Sequence, residues 1–347
     1  MDELTLLHTA RDLPESAVED LSGSRLALDQ AIAGARPRTH ARVRVQRRVG
    51  WAFASVGLAA TLAIGLVAAD IPGFGTMAPH GASAQAAELL TAAAEITIHT
   101  SDPVVGPTQY LRVDTKIIGS HGTQDAGGTL IGFLTQRTRS LFIPPSERTS
   151  WVYLRSLPEV FQTFGPKSAA YATEEGAAMF AEHGTTGEYY KGLNADFQGR
   201  PEYTPASLAT LPRDPQTLLR HLYSVNPGSG VSNDGKAFNL IIDVLTTGFV
   251  PADLRAALYK AAALIPGVSV TERDTTMDGR TGVSIGRTES KNASRQDIII
   301  DPNNGLVIGQ RLVLLKGDLG FPAGTAIGST SVTTTVVDSA PTRAQSK

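Results

Sequence analysis

The chain, 347 residues long, predicts an α+β protein in which a single transmembrane helix precedes a domain built on one large curved antiparallel sheet covered by helices. Three observations predict this. An uncharged apolar run fills residues 49–69. Segments alternating in polarity with period two recur from 110 to 338. Segments of helical spacing cluster between 214 and 265. Strands joined by short turns, with helices grouped elsewhere, define the α+β class.

The run VGWAFASVGLAATLAIGLVAA (49–69) holds 21 residues without a charge. At about 1.5 Å per residue it spans roughly the 30 Å hydrocarbon layer of a bilayer. Val49, Phe53, Val56, Leu58, Leu62, Ile64, Leu66 and Val67 together favour insertion by about 2–5 kcal/mol. Residues 36–48 carry six arginines and no acid, whereas 49–111 contain no Lys or Arg. The positive-inside rule then holds residues 1–48 in the cytoplasm, with Arg42, Arg44, Arg47 and Arg48 setting the topology. Everything beyond residue 69 is expected outside the cell membrane. A competing reading is a signal peptide cleaved near Ala82-Ser83-Ala84, but its n-region would be 48 residues long. A buried core helix is a further alternative. Gly57, Thr61 and Gly65 have the spacing that lets two helices pack closely, a pattern that an alanine-rich span also produces by chance.

In the cytoplasmic tail, residues 2–12 and 15–34 suggest two short helices separated by Pro14. Two such helices enclose no core, so the tail either serves topology alone or docks on a cytoplasmic partner. Residues 70–84, rich in Gly, Pro and small residues, read as a linker. The outer domain is expected at 85–338, with a disordered tail at 339–347.

Within that domain, residues 85–97 predict a helix whose inner side carries Leu89, Leu90, Ala93 and Ile96. Tyr110–Ile117 alternates as a half-buried strand should. Residues 129–143 hold one or two strands, and 150–154 another. The stretch 158–205 reads as irregular, with a helix near 168–183. Helices are expected at 214–222, opened by Asp214-Pro215, at 235–246, and at 251–265, stopped by Pro266-Gly267. Asn233-Asp234-Gly235 and Asp278-Gly279 are expected as turns. From Val268 the chain reads as an antiparallel meander with strands near 283–285, 296–301, 306–315 and 326–338.

Net charge is −2, which gives no electrostatic basis for nucleic-acid binding. The chain has no cysteine, so disulfides, thiolate metal sites and thiol nucleophiles are excluded. The histidines, His8, His40, His80, His99, His121, His183 and His221, form no metal-ligating pair in sequence, so no metal or cofactor is expected. Neither a G-x-S-x-G elbow nor a glycine-rich phosphate loop with its lysine is present, and no catalytic residue is assigned. Asp301-Pro302-Asn303-Asn304-Gly305 resembles a calcium loop but lacks the closing Glu, and reads better as a hairpin turn. Trp151 and Tyr153 share one face of a strand and are the candidates for lining a ligand concavity, with core packing as the plainer alternative.

Several segments carry a family resemblance: the opening Met1-Asp2-Glu3-Leu4, the arginine-flanked span, Leu254–Val268, the stretch from Asp278-Gly279-Arg280 to Ile298–Gly309, and Ser331-Val332-Thr333. Together they resemble an actinobacterial family of single-pass membrane proteins often encoded beside sigma factors. The resemblance implies a half-barrel like that of periplasmic lipoprotein carriers and of regulators of envelope anti-sigma factors. It implies a non-enzymatic binding or sensing protein whose outer domain takes an apolar ligand or peptide. It further implies a tail (1–48) that contacts a cytoplasmic regulator such as a sigma factor. The His and two Cys of zinc-containing anti-sigma domains are absent. Two alternatives remain open: a lipid or lipoprotein carrier-like chaperone, and an exported hydrolase.

Overall fold

The computed structural model describes residues 81–343, apart from 101, 147, 184–186, 197–201 and 226–230. The expected tail helices, the 49–69 span, most of the linker and Arg42, Arg44, Arg47 and Arg48 lie outside the described residues. Among the described residues no helix is long and apolar enough to cross a membrane.

Ten strands form one open antiparallel sheet. They are β1 (Tyr110–Gln124), β2 (Leu130–Ile143), β3 (Trp151–Arg155), β4 (Glu159–Thr163), β5 (Glu188–Gly192), β6 (Val268–Met277), β7 (Arg280–Glu289), β8 (Ser294–Ile300), β9 (Val307–Leu314) and β10 (Ala326–Val337). The order is β5-β3-β2-β1-β10-β9-β8-β7-β6, with β4 pairing on β2 beyond β3. Two meanders are thus joined where the first long strand meets the last one, β1 against β10. The helices are α1 (Ala84–His99), α2 (Pro166–His183), α3 (Pro205–Ala209), α4 (Pro215–Ser224), α5 (Asn233–Leu245) and α6 (Ala252–Ala263). The α+β class and the large curved sheet are therefore present as the alternation and the turn chemistry require.

Local chemistry explains the boundaries. Ser83 caps α1 by accepting from Ala86 N, while the Ala82 and Ser83 amides donate to Ala263 O and Val268 O. The domain thus already includes Ala82–Ala84, which the sequence placed in the linker. Asp214 caps α4, with Pro215 in the first turn. Asp278 and Gly279 both have positive φ, 50° and 76°, as the tight β6–β7 hairpin needs.

Asn233-Asp234-Gly235 is not a turn but the first turn of α5. Ser232 accepts from Gly235 N at 3.0 Å, and Asp234 supplies negative charge at the positive helix end. The 129–143 segment is one unbroken strand. The stretch 158–205, expected to be irregular around its helix, also contains β4, β5 and a 3-10 turn (Leu193–Ala195), and it ends where α3 begins. All five residues of β4 are exposed, so no polarity alternation betrays it.

One face of the sheet carries the core. Leu90 and Ala94 of α1, Leu218 of α4, Ile241 and Ile242 of α5, and Leu254, Leu258 and Tyr259 of α6 pack with Val113, Leu141, Ile285, Ile298 and Val332 of the sheet. This helix-bearing side is termed the inner face. Leu134, Leu314 and Phe321 form a small separate cluster, with Ile118 and Phe164 packed against it.

Candidate functional site

Residues directly opposite in an antiparallel pair share a face, so the register arranges the inner face of β1, β2, β3 and β5 in layers. The first layer is Val113, Leu141, Tyr153 and Tyr190, and it belongs to the core. Two residues along each strand, the second layer is Thr115, Arg139, Arg155 and Glu188. The third pairs Ile117 with Arg137. Two layers further on lie His121 and Phe133, where α2 closes the end of the face: Tyr171 meets Phe133 edge-on at 5.3 Å and Ser168 donates to Gly132 O at 2.6 Å. Across β10 and β9 the same inner face presents Thr330, Gln310 and Leu312.

Between the core layer and α2 the inner face carries the half-buried side chains of Thr115, Ile117, Arg137, Arg139, Arg155, Glu188, Gln310, Leu312 and Thr330, a stretch termed the trough. Three of these nine are guanidinium groups. Glu188 pairs with Arg155 and also accepts from the Tyr190 hydroxyl at 2.9 Å. The Arg137 and Arg139 side chains make no hydrogen bond or ion pair among the described residues, and the Arg139 Nε is buried with no acceptor there. Burial, then the neighbouring Arg139 and Arg155, press Arg137 below the ordinary guanidinium pKa; Tyr153 and Glu188 oppose that shift. Among the described residues the trough is thus rich in hydrogen-bond donors and carries positive charge that Glu188 alone does not balance.

Of the two ligand-facing candidates, Trp151 is 5% exposed and Tyr153 6%, and both belong to the core cluster. Tyr153 stacks on Tyr190 at 6.0 Å and borders the arginine layer, and burial raises its phenol pKa against the pull of Arg139, Arg155 and Arg137. Trp151 and Tyr153 are the packed floor on which the arginine layer stands. The side chains of this candidate site that sequence reasoning missed are Arg137, Arg139, Arg155 and Glu188. A signal for two of them existed: Arg137 and Arg139 share parity with Phe133, Leu141 and Ile143 in β2, so charge sits on the core side of an amphipathic strand.

A second cavity of about 220 Å³ lies where β9 and β10 diverge, lined among others by Asp102, Leu245, Arg255, Arg280 and Val332. Arg280 plugs the fork, donating from Nη2 to Ile308 O (3.2 Å) and Val332 O (2.7 Å). Buried Arg255 is committed to Thr97, Val250 O and Asp102, so this corner ties elements together. The Asp301–Gly305 loop is a hairpin turn in which Gly305 N donates to Asp301 O. Among the described residues no cluster of three or more His, Asp or Glu side chains suits a metal ion.

No family model matches the chain, and no curated protein does. Among solved structures it is similar to a DUF1329 family protein from Desulfovibrio piger, at 10% identity over 73% of this chain and 91% of that one. The TM-score is 0.18, too low for any inference about fold or site.

Proposed function

We propose that the chain is a membrane-anchored envelope protein that binds a ligand in the inner-face trough and does not turn it over. The observation that carries this is the half-buried, donor-rich stretch of inner face between the helical core and α2, with Arg137 and Arg139 unpaired. A protein rarely leaves buried donors without acceptors unless something else supplies them. The anchor is the 49–69 run and its arginine flank. The tail, residues 1–48, is the segment placed to report occupancy to a cytoplasmic regulator such as a sigma factor.

Two experiments test the reading. The full chain, extracted in a mild detergent, is denatured and its small-molecule content identified by mass spectrometry. A bound compound near one per chain supports a binding protein, and an empty protein from several expression conditions argues against it. Turnover of that compound by the purified chain would place it instead among exported hydrolases. Separately, co-purification of the 1–48 segment with a sigma factor supports the signalling half, and failure to capture one leaves a binding module alone.

A further inference from the structure

We propose that the arginine cluster of the inner-face trough is a phosphate site, taking the phosphomonoester group of a ligand between Arg137, Arg139 and Arg155. This deepens the binding reading above and rests on it.

The charge count points to a dianion. Among the described residues three guanidinium groups face one carboxylate, Glu188, which is already engaged by Arg155. Two positive charges remain, and a phosphomonoester carries about −1.5 to −2 at neutral pH. A single carboxylate would neutralise only half of that excess.

The register makes the excess costly without a ligand. Arg139 stands directly opposite Arg155. Opposed side chains in such pairs start only about 5 Å apart at Cβ, and like charges there destabilise the sheet. The packed layer beneath, Leu141 and Tyr153, holds the two strands in this register regardless. An oxyanion between the arginines converts that repulsion into attraction.

Donor geometry agrees. The Arg139 Nε is buried with no acceptor, and Arg137 has no hydrogen-bonded partner among the described residues. Guanidinium forks match the oxygens of phosphate in pairs, which a lysine ammonium does not. Thr115, opposite Arg139, adds a hydroxyl on the same face. Ile117, opposite Arg137, offers an apolar surface beside the cluster for the carbon portion of an ester. A free phosphate and a lipid phosphate share this chemistry.

The test uses the full chain in a neutral detergent and phosphate-free buffer at low salt. Inorganic phosphate, dihexanoyl phosphatidic acid and, as a control, dihexanoyl phosphatidylcholine are titrated in turn, with melting temperature and calorimetry as readouts. Phosphate and phosphatidic acid should each raise the melting temperature, and phosphatidylcholine should not. Equal affinity for the first two identifies a free-phosphate site, and tighter binding of phosphatidic acid identifies a lipid phosphate. The paired variant Arg137→Gln/Arg139→Gln should weaken binding by at least about tenfold, the loss of charged hydrogen bonds. Without ligand it should melt no lower than the parent, because it removes like-charge contacts. Should the pair fail to fold, Arg137→Gln alone carries the same expectation. Binding that persists in these variants resides elsewhere, the tail arginines included, and overturns the proposal, as does the absence of binding by either phosphate compound. If mass spectrometry then finds a neutral compound in the purified chain, the binding reading stands and only the phosphate assignment falls.

Discussion

His121 lies against Phe133, ring centroids 5.1 Å apart, with Nε2 hydrogen-bonded to Thr135 Oγ1 at 2.9 Å. Burial chiefly lowers its pKa below 6.5; Glu175 works against the shift and Arg137 with it. The folded state thus favours neutral imidazole, and the unfolded chain binds the proton more readily. That stability is present above about pH 6.5 and is lost as the pH falls toward the folded pKa. Urea midpoints measured from pH 7.5 to 5 should fall on acidification, and His121→Gln should flatten that slope. At the opposite end of the inner face, Tyr259 is fully buried and donates to Gly305 O at 2.7 Å. Tyr259→Phe should destabilise by about 1–2 kcal/mol in denaturant titration, since it leaves a carbonyl without its donor. Gly305 itself has φ 68°, and a Cβ there would meet Ala93 O at 2.7 Å, so the turn and α1 are fitted to each other through glycine.

At the scale of elements, the second meander is bolted on its outer face by a buried carboxylate. Asp297 of β8 has no exposed surface and accepts from Arg295 at 2.8 and 2.9 Å, from Arg311 at 3.0 Å and from Thr271 at 3.1 Å. Its neighbour across the pair is Gly286, where a Cβ would lie 2.0 Å from the carboxylate oxygen. Asp297→Ala removes the carboxylate that Arg295 and Arg311 share and should cost about 3–5 kcal/mol, read from the denaturant midpoint. Glu272 retains Arg311 in that variant, so Arg295 is the charge left bare. The β6–β7 hairpin closes by a different means. Its Asp278 meets Lys116 at 3.5 Å, while Arg280 reaches carbonyls of β9 and β10. Arg280→Met should therefore raise amide exchange in residues 275–283 well before it affects β1 and β2, as hydrogen-exchange mass spectrometry would show.

For the whole molecule, the chain from Ala78 onward forms one unit, and among the described residues no helix is long and apolar enough to cross a membrane. The proposed anchor, residues 49–69 with their arginine flank, precedes that unit in the sequence. The full chain should stay with membranes in alkaline carbonate, and deletion of 49–69 should release it. A C-terminal reporter should act only outside the cytoplasm, and activity inside would reverse the topology.

Much of this was legible in one dimension. Alternation at Tyr110–Ile117, the Asp214-Pro215 start and the Asp278-Gly279 turn each act over a few residues, and the structure carries all three. Asn233-Asp234-Gly235 misled because its turn chemistry serves equally as a helix start once Ser232 caps it. Strand β4 was invisible because a fully exposed strand has no inside to alternate against.

By itself the sequence determined the strand and helix periods, the charge asymmetry around 49–69 and the absence of thiol chemistry, all of which depend on nearest neighbours or on simple counts. Only the tertiary structure decided that Arg139 faces Arg155, 16 positions away, and that Glu188 balances only one of three arginines. It likewise decided that Trp151 and Tyr153 are buried in the main core cluster. Pairing register is set by long-range burial of Val113, Leu141 and Tyr153 against helices that arrive much later in the chain. No local rule carries that information, because a strand's alternation says which side chains go inward but not which ones they meet there.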